Sequence, residues 1–210
     1  KIADVLASSA EDARREFAAR PHVLGAVLGS LGRSFMGVGE FDQAETLLRE
    51  SLALREKHGT TIEVAEAKYN LAEVLSNKGL DKAAALLALE AWRLYVQADA
   101  HPREIAKALN NIAGIDRRLE KYDDAERVHR EAIAIRRELV RANGLDTGSA
   151  LDLADSLNNL AGVLRYRDND ARASRGDRTS PSGSESVWDE IESLVGESSR
   201  LRTKALKPDH

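Results

Sequence analysis

No cysteine occurs in the 210 residues. That excludes a disulfide framework and any thiolate metal site, and it fits a reducing, cytoplasmic compartment. Only four prolines are present. Two of them, Pro181 and Pro208, fall outside the main repeating region, so long stretches are free to be helical. Aromatic residues make up 4% of the chain, which suits thin helix-on-helix layers of Ala and Leu better than one thick core. There is no excess of positive charge: the formal net charge is −4 and the pI near 5.8, which argues against a nucleic-acid partner. No apolar run approaches the ~20 residues that span a bilayer. The first twenty residues carry Glu11, Asp12, Arg14, Arg15, Glu16 and Arg20, an amphipathic pattern unlike a signal peptide, so membrane insertion is not expected. The five histidines (His22, His58, His101, His129, His210) never pair at helical spacing, and no His-Glu-x-x-His occurs. Neither a metal nor a cofactor is therefore expected.

What is present repeats. Leu109-Asn110-Asn111-Ile112-Ala113-Gly114 and Leu157-Asn158-Asn159-Leu160-Ala161-Gly162 share one plan, as do Phe41-Asp42-Gln43-Ala44 and Tyr122-Asp123-Asp124-Ala125. A first helix carries Leu28, Leu31-Gly32 and Phe35 on one face and stops at Gly39; a second carries Ala44, Leu47, Leu48, Ser51 and Leu52. The same pair recurs around Leu71-Ala72 and Ala84, around Ile112-Ala113 and Ala125, and around Leu160-Ala161. The small residue after each Leu or Ile (Gly32, Ala72, Ala113, Ala161) lets paired helices approach closely. Each hairpin is apolar on both broad faces and must stack. The expected fold is all-α, a right-handed superhelical α-solenoid of stacked antiparallel helix hairpins. Residues 1–20 read as a capping helix, and 21–62, 63–102, 103–148 and 149–210 as four repeats. In the last repeat the aromatic-acidic start recurs late, at Trp188-Asp189-Glu190. An Arg-, Asp-, Gly- and Ser-rich insert at about 168–186 is expected to be disordered there. Its Ser180-Pro181 and Arg172-Ala173-Ser174 suit either phosphorylation or a plain spacer.

Residues 22–166 and 187–210 resemble tetratricopeptide repeats, in the longer variety found in kinesin light chains. The likeness rests on the two Leu-Asn-Asn cores, on Tyr122–Ala125, and on Pro208-Asp209-His210. Residues 1–59 resemble the entry into repeat regions behind the catalytic domain of some bacterial serine/threonine kinases, through Ala19-Arg20-Pro21-His22-Val23 and Leu31-Gly32-Arg33-Ser34-Phe35. No Gly-rich loop, His-Arg-Asp or Asp-Phe-Gly occurs, so the chain itself is not expected to be an enzyme. A start at Lys1 without methionine is expected of a segment covalently linked to further domains.

The resemblance implies that the first helix of each repeat lines a groove, with the position before the Leu-small pair facing a ligand. Those positions are Ser30, Asn70, Asn111 and Asn159. Their amides offer donors and an acceptor to an extended peptide, or bond neighbouring helices instead. Arg33, Lys107, Arg117, Arg165 and Tyr166 lie on the same face. Their charge suits an acidic peptide or a C-terminal carboxylate. Asn70 and Lys107 match carboxylate-clamp positions, but the clamp's other places hold Gly29, Arg33 and Asn111. The expected function is a non-catalytic scaffold that binds a protein or peptide, as the regulatory region of a bacterial signalling protein such as a kinase. The alternative is a sensor domain that binds a small molecule or signalling peptide and switches a linked effector.

Overall fold

In the computed structural model, residues 2–144, 146–174 and 185–206 are described. They form nine helices and no strand: α1 (Ile2–Glu16), α2 (Pro21–Gly37), α3 (Phe41–His58), α4 (Thr61–Asn77), α5 (Asp81–Gln97), α6 (Pro102–Arg118), α7 (Tyr122–Asn143), α8 (Thr147–Ser174) and α9 (Glu185–Ala205). The chain divides into two compact units, Lys1–Ala100 and His101–His210. In the first, α1 packs on α2, and the hairpins α2/α3 and α4/α5 stack through α3 and α4. In the second, the hairpins α6/α7 and α8/α9 stack through α7 and α8.

The helices start where the sequence supplies a start. Pro21 and Pro102 open α2 and α6, where a missing N–H costs nothing. Thr60 and Glu63 form a reciprocal capping box on α4. The Glu63 carboxylate is held below its ordinary pKa, first by the Thr60 backbone N–H and then by the Thr60 hydroxyl. His101 accepts the Arg103 backbone N–H through Nδ1 at 3.2 Å.

One turn joins the helices of the first three hairpins. Glu40 N–H donates to Phe35 O (3.0 Å), Leu80 N–H to Leu75 O (2.9 Å) and Lys121 N–H to Asp116 O (2.9 Å). Each closes over a left-handed residue: Gly39 (φ 82°), Gly79 (φ 75°) and, in the third hairpin, Glu120 (φ 60°). A glutamate there costs roughly 1 kcal/mol relative to glycine.

The fourth hairpin departs from this plan. By repeat spacing, Asp168 occupies the turn position of Gly39, Gly79 and Glu120, yet the chain stays helical through it to Ser174. The expected insert therefore needs correction at both ends: 168–174 belongs to α8, and 185–186 belongs to α9. Asp168 and Arg172, four apart on the helix, pair at 3.9 Å, and the stretch contains no proline or glycine to stop it. Residues 175–184, with the Ser180-Pro181 site, and 207–210, with the Pro208-Asp209-His210 run, lie outside the described residues.

The core follows the repeat. Leu28, Leu48, Leu71, Leu157, Leu160 and Leu164 are fully buried, each worth about 1.5–3 kcal/mol relative to exposure. Ala44, Ala84 and Ala125, on the second helices, are fully buried too. Gly32 is packed hard: a Cβ there would lie 2.7 Å from Leu48 Cγ and 3.3 Å from Ala44 O. In the second unit α9 seats Ile191 and Leu194 against Ile133, Leu157, Leu160 and Leu164, with Trp188 partly buried beside them.

Candidate functional site

Buried arginines lock successive hairpins together inside each unit, each through a carbonyl at the same repeat position and a second, different side-chain partner. Arg55 Nη1 donates to the Glu63 carbonyl (3.0 Å) and to Glu66 Oε2 (2.7 Å). Arg136 Nη1 donates to the Asp152 carbonyl and to Ser156 Oγ (2.6 Å). Glu63 and Asp152 are equivalent repeat positions, so this is one device used twice. A second device also recurs within hairpins: Ser51 Oγ donates to Gly25 O (2.6 Å) and Ser198 Oγ to Ala154 O (2.8 Å), both buried.

These locks set the first helices of a unit side by side, and the face so formed differs between units. In the first unit, Arg33 pairs with Glu66 across α2 and α4 at 3.2 Å, and the half-buried Glu73 stands one repeat on from Arg33. Side chains thus cover that face. Asn70 is only 2% exposed. It does not present its amide to a ligand, which corrects the expectation for that position. It sits among Tyr69, Leu71, Ala72 and Val74, all buried, because the tightly packed α4 turns this position inward.

In the second unit the equivalents of Arg33 and Glu73 are Gly114 and Gly162. A Cβ on either would meet nothing within 4 Å. Two cross-helix contacts bracket them. On one side Asn110 Oδ1 accepts from Ser156 Oγ (3.2 Å) and, more weakly, from Asn159 Nδ2 (3.4 Å). On the other, the Arg117 guanidinium lies 5.1 Å from the centre of the Tyr166 ring. Gly114 is four residues from Asn110 and three from Arg117; Gly162 is three from Asn159 and four from Tyr166. The glycines therefore floor a bare trench between α6 and α8.

Of the residues singled out from sequence, this trench brings together Asn111, Arg117, Asn159 and Tyr166, with Arg165 exposed beside Tyr166 and Lys107 exposed one turn before Asn111 on α6. The Asn111 Oδ1 atom is shielded from solvent and accepts no hydrogen bond. Asn159 is exposed but also donates to the neighbouring helix, so both readings of the asparagines hold in part. Arg33 and Asn70 lie in the first unit, apart from this set. Asp155, an exposed carboxylate on α8, is already engaged by Arg202. Sequence reasoning missed Asn110, the residue that ties α6 to α8. The signal was the doubled asparagine itself, one for the helix contact and one for the trench. It also gave the glycines no role beyond the end of a motif.

His129 is buried on α7 with no partner for Nδ1. Desolvation first, then the charges of Arg136 and Arg117, lowers its pKa to about 4, so it is neutral near pH 7. Among the described residues no group of three His, Cys, Asp or Glu could hold a metal ion, and no helix is long and apolar enough to cross a membrane.

Residues 24–58 and 105–143 match the tetratricopeptide repeat family model. No curated protein matches the chain by sequence. Among solved structures, it resembles BtubC (BKLC) from P. vanneervenii at 19% identity and a TM-score of 0.62, over 99% of this chain and 92% of that one. It resembles a variant of a Podosopora anserina putative kinesin light chain with nearly identical TPR-like repeats at 14% identity and a TM-score of 0.66, over 94% and 86%. MamA follows at 16% identity and a TM-score of 0.58, over 95% and 90%. At these identities the likeness is one of fold. The matched stretches are the first and third hairpins, which are tetratricopeptide repeats, and the second and fourth keep the same register of small and large residues in the same all-helical, tetratricopeptide-like fold.

Proposed function

We propose that this chain is a non-catalytic interaction scaffold, and that the face of α6 and α8 binds an acidic peptide segment or a C-terminal carboxylate of a partner protein. The observation that carries this reading is the bare trench over Gly114 and Gly162, flanked by Lys107, Arg117 and Arg165. A peptide backbone can approach closely where no Cβ intervenes, and the guanidiniums of Arg117 and Arg165 offer charge-assisted hydrogen bonds to carboxylates. Tyr166, half exposed, supplies a flat apolar anchor of the kind that dominates binding energy. The likeness of residues 1–59 to the entry of kinase-linked repeat regions supports a regulatory role within a larger bacterial signalling protein, in the cytoplasm.

A peptide array probed with the purified chain tests this. Capture should favour peptides rich in Asp and Glu or ending in a free carboxylate, and Lys107→Ala with Asn111→Ala should weaken it about tenfold. Peptides that stay bound to the double variant with unchanged affinity contradict the reading.

A further inference from the structure

Behind the Tyr122–Tyr166 pair lies a second feature of opposite charge. The two rings stack at 6.4 Å between centres and 7° between planes. Tyr166 faces Arg117 on one side of this wall. Tyr122 lines a cleft of about 520 Å³ on the other, together with Glu120, Asp123, Asp168 and Asp170. The lining cation is Arg167, which is already committed to Glu126 and lies 3.7 Å from Asp123.

Two independent observations mark this as more than an acidic surface. The Asp168 side chain is 9% exposed, and its Oδ2 is shielded from water and accepts no hydrogen bond. Its described counter-charge is Arg172 Nη1 at 3.9 Å, beyond hydrogen-bonding distance. A buried carboxylate oxygen without a donor is costly unless something supplies one. The cleft is also specific to this hairpin. It exists because α8 runs straight through the position where the other first helices turn, which holds Asp168 inside the helix. At its rim, Glu120 occupies a left-handed position that glycine fills in the first two hairpins. A carboxylate is thus kept there at a conformational cost.

We infer that this cleft receives a lysine or arginine side chain of a partner protein segment. Its ammonium or guanidinium would meet Asp168 and Asp170 and lie against the Tyr122 ring. Charge complementarity commits the occupant: four carboxylates face two guanidiniums, Arg167 engaged by Glu126 and Arg172 beside Asp168, and an aromatic wall favours a cation over a neutral group. The inference does not depend on the trench over Gly114 and Gly162, which takes the opposite charge.

The test uses the full chain and fluorescence anisotropy with three labelled Gly/Ser nonapeptides carrying two arginines, two glutamates or two norleucines, at low salt. The arginine peptide should bind at least tenfold tighter than the norleucine peptide. Asp168→Asn and Asp170→Asn should each weaken it about tenfold and leave the glutamate peptide unaffected. Glu120→Gly should weaken it about threefold. Asp170 is exposed, so its variant reports even if Asp168→Asn disturbs folding. Arginine-peptide affinity within twofold of wild type in Asp170→Asn, or equal binding of the norleucine peptide, overturns the proposal.

Discussion

The two units use one framework and finish it differently. In each, a buried arginine from the second helix of one hairpin grips a carbonyl at the start of the next, Arg55 on Glu63 and Arg136 on Asp152. In the first unit the exposed face of the first helices is filled, with Arg33 paired to Glu66 and Glu73 in the next register. In the second, glycines stand at both equivalent positions and leave the surface bare. The framework positions are fixed by packing and tolerate little change. The face positions lie outside that packing and are free to specialise, filled in one unit and open at Gly114 and Gly162 in the other, so the difference between units falls where a ligand would.

The framework half of this comparison carries the largest effects. Arg136→Ala removes two charge-assisted hydrogen bonds from a buried group and should destabilise the second unit by about 3 kcal/mol. Arg55→Ala should cost the first unit about 2 kcal/mol, because its partner Glu66 is 39% exposed and retains Arg33. Urea titrations followed at Trp92 and Trp188 read the two units separately. Equal loss at both tryptophans in both variants would erase the distinction.

His129 sharpens the comparison by pH. Its equivalent in the first hairpin is the buried Leu48, so only the second unit carries this titration. The folded pKa, about 4, lies below the unfolded value near 6.5. The neutral form is therefore the folded one. Its contribution is fully present above about pH 6.5 and is lost as pH falls toward 4, amounting to about 3 kcal/mol across that window. The unfolding free energy of wild type relative to His129→Leu should fall by about that amount between pH 7 and pH 4. A difference independent of pH would show that His129 is not held neutral.

The smallest effects come from alanine at two glycines. Gly32→Ala drives a methyl into Leu48 and should cost about 1–3 kcal/mol. Gly114→Ala meets open space and should stabilise its helix by up to about 1 kcal/mol. Thermal melts of the two variants should move in opposite directions; shifts of the same sign would mean that Gly114 is packed after all.

Much of this was legible in the sequence, for physical reasons. The helix pairs could be read because the small residues at Gly32, Ala72, Ala113 and Ala161 and the left-handed turn glycines Gly39 and Gly79 recur at near-constant spacing. The fate of Asp168 could not. A polar stretch without Pro or Gly reads as a loop by composition, whereas i, i+4 pairing with Arg172 keeps it helical. At the site, Lys107, Asn111, Arg117, Asn159, Arg165 and Tyr166 were expected on one face from the repeat resemblance together with helical spacing. Asn70 was misjudged because the same periodicity cannot tell how closely neighbouring helices close over a position. The glycines of the trench went unused because an absent side chain leaves no chemical signal until its surroundings are seen.

The central claim is that the bare trench of the second unit is the binding face. Isothermal titration of the doubly substituted Gly114→Leu/Gly162→Leu chain with the tightest acidic peptide from the array tests it most directly, alongside a thermal melt. The account predicts that binding is lost by tenfold or more while the melting temperature is unchanged or higher, because the new side chains fill only open space. Undiminished peptide affinity in a folded double variant would contradict it.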